Sequence, residues 1–237
     1  ISIFNAFAPL VHFGALQTIA AELDFDLLAI TAEPYAVARC LGDEDGDLSA
    51  IFIDIGGGTT DIAIVCDGTV EGTKMFTLGG RTFTKRLAQS LNISFPEAEE
   101  IKMSYANDRL EKQSHKIVRE CMKNDAEVWL SGVALTLSEF DLDVLPSRIM
   151  LCGGGSHLPE IKEALETRDW TKGLPFTRKP HISFIQPKHV TNILDSTQNL
   201  TNPQDVTPMA LANLALELAG EERILAKMLR KVVRLMQ

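Results

Sequence analysis

The sequence predicts an α/β fold built on a mixed sheet, and three observations carry that expectation. Two apolar stretches, residues 48–54 and 148–152, read as buried strands, and each runs into a group of three glycines. After the first group, Asp67-Gly68 is a favoured two-residue turn that joins two further strands as a hairpin, so antiparallel pairing must coexist with parallel pairing. Helical periodicity fills most of the remaining chain, which places helices against the sheet. With 237 residues, 45% hydrophobic and 23% charged, the chain can bury a sizeable core as one large domain or two small ones.

The elements follow in order. Residues 6–24 carry apolar side chains at helical spacing, and 25–31 (FDLLAIT) read as a short buried strand. Residues 32–41 read as a helix, with Pro34 tolerated in its first turn. The stretch 42–47 (GDEDGD) is an acidic turn; its alternating aspartates lack the following Glu and the flanking helices of a calcium loop. Strands are expected at 48–54, 61–66 and 69–78, and a helix opens at Gly79-Gly80 and runs to about Leu91. Another helix starts near Phe95 with Glu97 in its first turn, and a long one spans about 110–140. A strand at 148–152 and a helix at 158–166 come next. Residues 170–208 hold five prolines, one strand at 181–186 and a polar run (DSTQNLTNPQD) that reads as a surface loop. Two helices close the sequence.

Charge and cysteine usage exclude several functions. Thirty-two acidic against 23 basic residues give a net charge of −9, which argues against binding the phosphate backbone of nucleic acids. Cys40, Cys66, Cys121 and Cys152 have neither zinc-site spacing nor a secreted framework, so reduced thiols are expected. No stretch reaches the roughly 18–20 apolar residues of a spanning helix, and no signal-peptide pattern opens the chain. The sequence begins at Ile1 inside an apolar-periodic segment, from which a piece of a longer protein is expected.

The chemistry concentrates in Asp54-Ile-Gly-Gly-Gly-Thr-Thr-Asp61. A carboxylate at a strand end stands beside Gly56, Gly57 and Gly58, whose backbone N–H groups can approach phosphate oxygens, and beside the hydroxyls of Thr59 and Thr60. Asp54 suits a magnesium ion held through water, because magnesium keeps several waters and uses few carboxylates. The segment is not a Walker A loop, since no Gly-Lys-Ser/Thr follows, nor a dinucleotide fingerprint, since a strand rather than a helix comes after the glycines. A structural tight turn explains the glycines equally well on this segment alone.

Three further segments bear on the choice: Glu33-Pro34 before the strand, Gly79-Gly80 after the hairpin, and Gly153-Gly-Gly-Ser-His157 after the later strand. In this order the four resemble the ATP-binding actin, sugar kinase and heat-shock chaperone superfamily, with its ribonuclease H-like domains. AEPYAVAR, IFIDIGGGTTDIAIV, LGGRTFTKRLAQSLNISFPEAEEIKMSYA and IMLCGGGSHLPEIKEAL resemble the bacterial branch that contains the division protein FtsA and the pilus-assembly protein PilM, over about residues 6–220. The resemblance implies ATP and magnesium as ligands, with residues 1–40 ending the first of two actin-like domains, 41–220 forming the second, and 221–237 a separate terminal helix. It assigns Asp54 to the metal-proximal carboxylate and Gly56 to Thr60 to the loop around the outer phosphates. It places Glu33 near an attacking water, although a negative charge at a helix N-terminus needs no such role. Gly79 and Gly80 would present a helix N-terminus to phosphate. Glu99 and Lys102, three apart on one helix face, match the pair that grips ribose and adenine, and would look the same as a surface ion pair. Gly153, Gly154, Gly155, Ser156 and His157 match the adenosine motif. The first phosphate loop of the superfamily is absent, so this chain is expected to bind ATP weakly, if at all, and not to hydrolyse it, with at most a weak ATPase activity in the full-length protein.

The end of the sequence carries a second signal. Around a helix over 223–237, Ile224, Leu225, Met228, Leu229, Val232, Val233, Leu235 and Met236 share one half, while Arg223, Lys227, Arg230, Lys231 and Arg234 cluster opposite with no acidic residue among them. Such a helix suits an anionic membrane surface, a partner groove or a core face. FtsA-like proteins use a terminal helix for membrane targeting. The resemblance therefore implies a cytoplasmic protein, peripheral at the inner face of the cell membrane, that scaffolds or polymerises with the division machinery. A pilus-assembly platform and a small-molecule kinase of the same superfamily are the alternatives.

Overall fold

A computed structural model describes residues 7–41, 48–167 and 169–218; the acidic turn at 42–47 and the terminal helix at 223–237 lie outside the described residues. Helices α1 (Leu10–Glu22) and α2 (Glu33–Cys40) precede strands β1 (Ala50–Ile55), β2 (Thr60–Cys66) and β3 (Thr69–Phe76). Helices α3 (Gly80–Leu91), α4 (Phe95–Ala106) and α5 (Lys112–Ser138) follow, then β4 (Arg148–Cys152), α6 (Pro159–Thr167) and β5 (His181–Phe184). A last helix, α7, covers 206–218. The five strands form one sheet in the order β3-β2-β1-β4-β5. β1 pairs antiparallel with β2, and β2 with β3, whereas β1–β4 and β4–β5 are parallel. Asp67 and Gly68 both adopt positive φ (48° and 72°), as a turn matching the right-handed strand twist requires.

Strand alternation divides the interior into two layers. Ile51, Ile53 and Ile55 of β1 point, with Ile62, Ile64, Ile149 and Leu151, into a core closed by Phe83 and Leu87 of α3, Met122, Trp129 and Val133 of α5, and Ile161 of α6. Ala50 and Phe52 point the other way, with Ala63, Val65, Met150 and Cys152, against Ala36 and Val37 of α2 and Val206 and Ala210 of α7. β1 is therefore buried on both faces. Its one polar residue, Asp54, sits at the strand end on the α2/α7 side, in register with Asp61 and Cys152.

Local chemistry accounts for the helix ends near the site. Ser94 and Glu97 form a capping box at α4: Ser94 N–H donates to Glu97 Oε2 at 2.9 Å, and Glu97 N–H donates to Ser94 Oγ at 3.4 Å. α3 stops at Asn92, which is left-handed (φ 53°).

One expected element is missing. Residues 25–31 form no strand, and Phe25 and Leu28 are exposed. No described strand runs beside them to complete a ladder, and a short apolar run does not by itself fix strand geometry. α1 is the helix its periodicity predicts, yet none of its residues is buried. Among the described residues no helix is long and apolar enough to cross a membrane, and all four cysteines are free.

Candidate functional site

The glycine turn between β1 and β2 is held from two sides. Gly56 N–H donates to Thr59 C=O at 2.9 Å, closing the turn. At the N-terminus of α3, Gly80 N–H donates to Gly56 C=O at 2.9 Å and Arg81 N–H to Gly57 C=O at 2.8 Å. The Gly80 amide, expected to face phosphate, instead joins that of Arg81 in clamping the loop that carries Gly56 to Gly58. The approach is so close that a Cβ on Gly79 would sit 2.6 Å from Gly56 O and 2.8 Å from Gly57 O, so no larger residue fits there. The threonine hydroxyls are also committed. Thr60 Oγ1, fully buried, donates to Leu78 C=O at 2.6 Å and accepts from Trp129 Nε1 at 2.9 Å, while Thr59 Oγ1 donates to Asp61 Oδ2 at 2.9 Å.

A second glycine turn lies alongside, because β4 is parallel to β1. Gly153 has φ 80° and ψ 160° and fits against Asp54 and the Ile55 carbonyl. Its N–H donates to Pro203 C=O at 3.2 Å, which ties the polar loop before α7 to the sheet. Buried Ser156 donates to Gly153 C=O at 2.7 Å.

Between the two turns and α4 opens a cleft of about 550 Å³, within the size range of small-molecule sites. Eight of the residues proposed from the sequence line it: Gly56, Gly57, Gly80, Glu99, Lys102, Gly154, Gly155 and His157. Glu33, Asp54, Gly58, Thr59, Thr60, Gly79, Gly153 and Ser156 do not; Gly79 and Gly153 instead allow the close packing that shapes it. Asn202 and Gln204 line the cleft although their segment reads as a plain surface loop. Arg81, Phe95, Met103 and Asn107 line it too. Arg81 was marked in the sequence only by following Gly80, Phe95 and Met103 by lying on the helix of Glu99 and Lys102, and Asn107 by ending it.

Glu99 and Lys102 are more than a surface pair. Lys102, 7% exposed, donates through Nζ to Gly80 C=O at 3.1 Å, Thr84 Oγ1 at 2.8 Å and Glu99 Oε2 at 2.9 Å. Thr84 also donates to Glu99. Burial works against the Glu99 carboxylate, but the Thr84 hydroxyl and Lys102 outweigh it and hold its pKa below the ordinary value, with Arg81 adding to the effect. This network locks α3 to α4 and leaves a charged carboxylate at the cleft wall, suited to sugar hydroxyls.

A second electrostatic feature lies behind the turns. Buried Asp54 accepts a hydrogen bond from Thr207 Oγ1 of α7 at 2.6 Å. Burial raises its pKa, partly offset by hydrogen bonds from Thr207 and Cys152. Asp61 is raised by burial and by the Asp54 charge, and Glu33 by partial burial and by both aspartates. The three carboxyls thus repel one another where β1 and β2 meet the start of α2, and a cation nearby would favour their ionised forms. An all-oxygen donor set fits magnesium. Among the described residues no three acidic, His or Cys side chains are close enough to enclose a metal directly.

Comparisons with known proteins identify the family and the fold. The family model for cell division protein FtsA matches residues 51–210. FtsA of Neisseria meningitidis serogroup B is 31% identical over 159 residues, 58% of this chain and 38% of that protein; the chain thus spans less than half the length of that relative. Among solved structures, a PilM–PilN type IV pilus biogenesis complex superposes with a TM-score of 0.66 at 19% identity, over 87% of this chain and 57% of that one. The ethanolamine utilization protein EutJ of Carboxydothermus hydrogenoformans gives 0.56 at 26% identity, over 83% and 59%. The mixed sheet with helices on both faces is the actin-like fold of these proteins, and the extent of the family match settles the affiliation: this chain belongs to the FtsA family of the actin-like superfamily.

Proposed function

We propose that the cleft binds ATP with magnesium and that the protein acts as a membrane-peripheral scaffold or polymer of the division machinery. The observation that carries the nucleotide half is the convergence on one cleft of eight residues assigned by family resemblance from four separate segments between Gly56 and His157. In this reading the Gly56–Gly58 turn cradles the phosphate chain with its backbone, Glu99 receives the ribose, and Gly154 and Gly155 leave space for the flat base. Magnesium neutralises phosphate charge and is held through water by Asp54, near Glu33 and Asp61. Residues 1–40 then end a first lobe, and 41–220 form the second.

The membrane half is supported by the sequence of 223–237, whose five basic and no acidic residues oppose a wide apolar face. Family membership favours division partners, whereas the pilus protein shares the fold at low identity. Calorimetric titration with ATP, with and without magnesium, tests the site. Asp54→Ala should remove the magnesium-dependent part of the affinity, and an unchanged response overturns the assignment. Flotation with anionic liposomes tests the helix: loss of flotation on deleting residues 223–237 supports it, and equal flotation of both proteins refutes it.

A further inference from the structure

We infer that Arg81 is the phosphate-binding cation of the cleft, so that the site selects nucleoside di- and triphosphates over nucleosides; this rests on the nucleotide reading above. One lysine and one arginine line the cleft, Lys102 and Arg81. Lys102 is not available. Its ammonium is buried and its N–H bonds are spent on Gly80 C=O, Thr84 and Glu99, so turning it towards a phosphate would break three hydrogen bonds, one of them to a carboxylate.

Arg81 is in the opposite condition. Its side chain is exposed and lies over the glycine turn, where a Cβ on Gly57 would be 3.6 Å from Nε. Its backbone N–H holds Gly57 C=O, which fixes the start of the side chain relative to the loop. Among the described residues its guanidinium makes no hydrogen bond and no ion pair. Glu99, the acid whose charge it senses, already accepts from Thr84 and Lys102. A guanidinium offers a planar fork of donors that matches two phosphate oxygens, which an ammonium does not. An unpaired fork beside a turn of three glycines, at the mouth of a cleft whose far wall suits a sugar and a base, is placed for the phosphate chain and not for the nucleoside.

The test is a titration of the whole chain, followed by amide chemical shifts so that millimolar affinities remain measurable, with ATP, ADP and adenosine. Arg81→Ala should weaken ATP and ADP by roughly tenfold or more, the value of a charge-assisted hydrogen bond, and leave adenosine unchanged. Arg81→Lys should recover part of the loss. Lys85→Ala, which removes the same charge one turn along α3 and away from the cleft, should change nothing. Equal weakening of ATP and adenosine in Arg81→Ala would make the residue merely structural, and unchanged ATP affinity would remove it from the site; either overturns the inference and leaves the nucleotide reading standing. A parent protein that binds none of the three overturns both.

Discussion

Adjacent glycines at the end of β4 should respond to the same added methyl group in opposite ways. Gly153 has φ 80° with an extended ψ, a conformation nearly closed to other residues, and a Cβ there would collide with Asp54 Oδ1 and lie 2.6 Å from Ile55 O and 2.8 Å from Ile55 C. The Ile55 atoms belong to the central strand and cannot retreat without breaking its ladders with β2 and β4. Backbone strain of about 1–3 kcal/mol and an overpacking cost of about 1–3 kcal/mol together give a destabilisation on the order of 2–6 kcal/mol for Gly153→Ala. With a urea m-value of about 2 kcal/mol/M, the unfolding midpoint should fall by roughly 1–3 M. At Gly154 the nearest atom would be Gln204 Oε1 at 3.7 Å, an ordinary contact, and φ is not positive. Gly154→Ala should therefore be neutral or stabilising by up to about 1 kcal/mol, through reduced freedom of the unfolded chain. Urea titration of the two variants against the parent, followed by circular dichroism, measures both. Similar midpoints for the pair would refute the close approach of the β4 turn to β1.

Two further outcomes follow from the site's electrostatics. The Asp54 pKa is raised in the fold, chiefly by burial, so the native state holds its proton more tightly than the unfolded chain does. Its contribution is complete below the ordinary value of 3.8 and is lost as pH rises from there through the raised value. Asp54→Asn should consequently gain stability over the parent across that window and keep a constant margin above it; urea midpoints of the pair between pH 4 and 7, on the order of that range, check this, and a pH-independent margin refutes it. Lys102→Met should cost about 1–3 kcal/mol, because the Gly80 carbonyl, Thr84 and Glu99 lose their shared donor, and the same unfolding assay reads it; a loss within error would mean that water replaces the ammonium.

Much of this was legible in the residues themselves. The hairpin at Asp67-Gly68, the helix start near Phe95 with Glu97 in its first turn, and the strand ends at the glycine groups depend on neighbours within a few positions, and all appear as expected. Residues 25–31 do not, because a strand exists only if another backbone lies beside it. Asn202 and Gln204 were hidden for a related reason. Nothing in DSTQNLTNPQD indicates that Pro203 C=O binds Gly153 N–H, the contact that brings the loop to the cleft. The role of Thr60 was likewise invisible, since its hydroxyl is taken by Trp129 and Leu78, 69 and 18 residues away.

By itself the sequence determined most of the described elements, the α/β class and the candidate phosphate turns, because backbone propensity, periodicity and glycine chemistry act over a few adjacent residues. Only the tertiary structure decided which candidates meet. It set Glu99, Lys102 and the two glycine turns around one cleft, buried the Lys102 ammonium and left the Arg81 guanidinium without a hydrogen-bond or ion-pair partner among the described residues. Those outcomes depend on the parallel pairing of β1 with β4 and on the packing of α3 against α4, where distance in space and distance along the chain are unrelated.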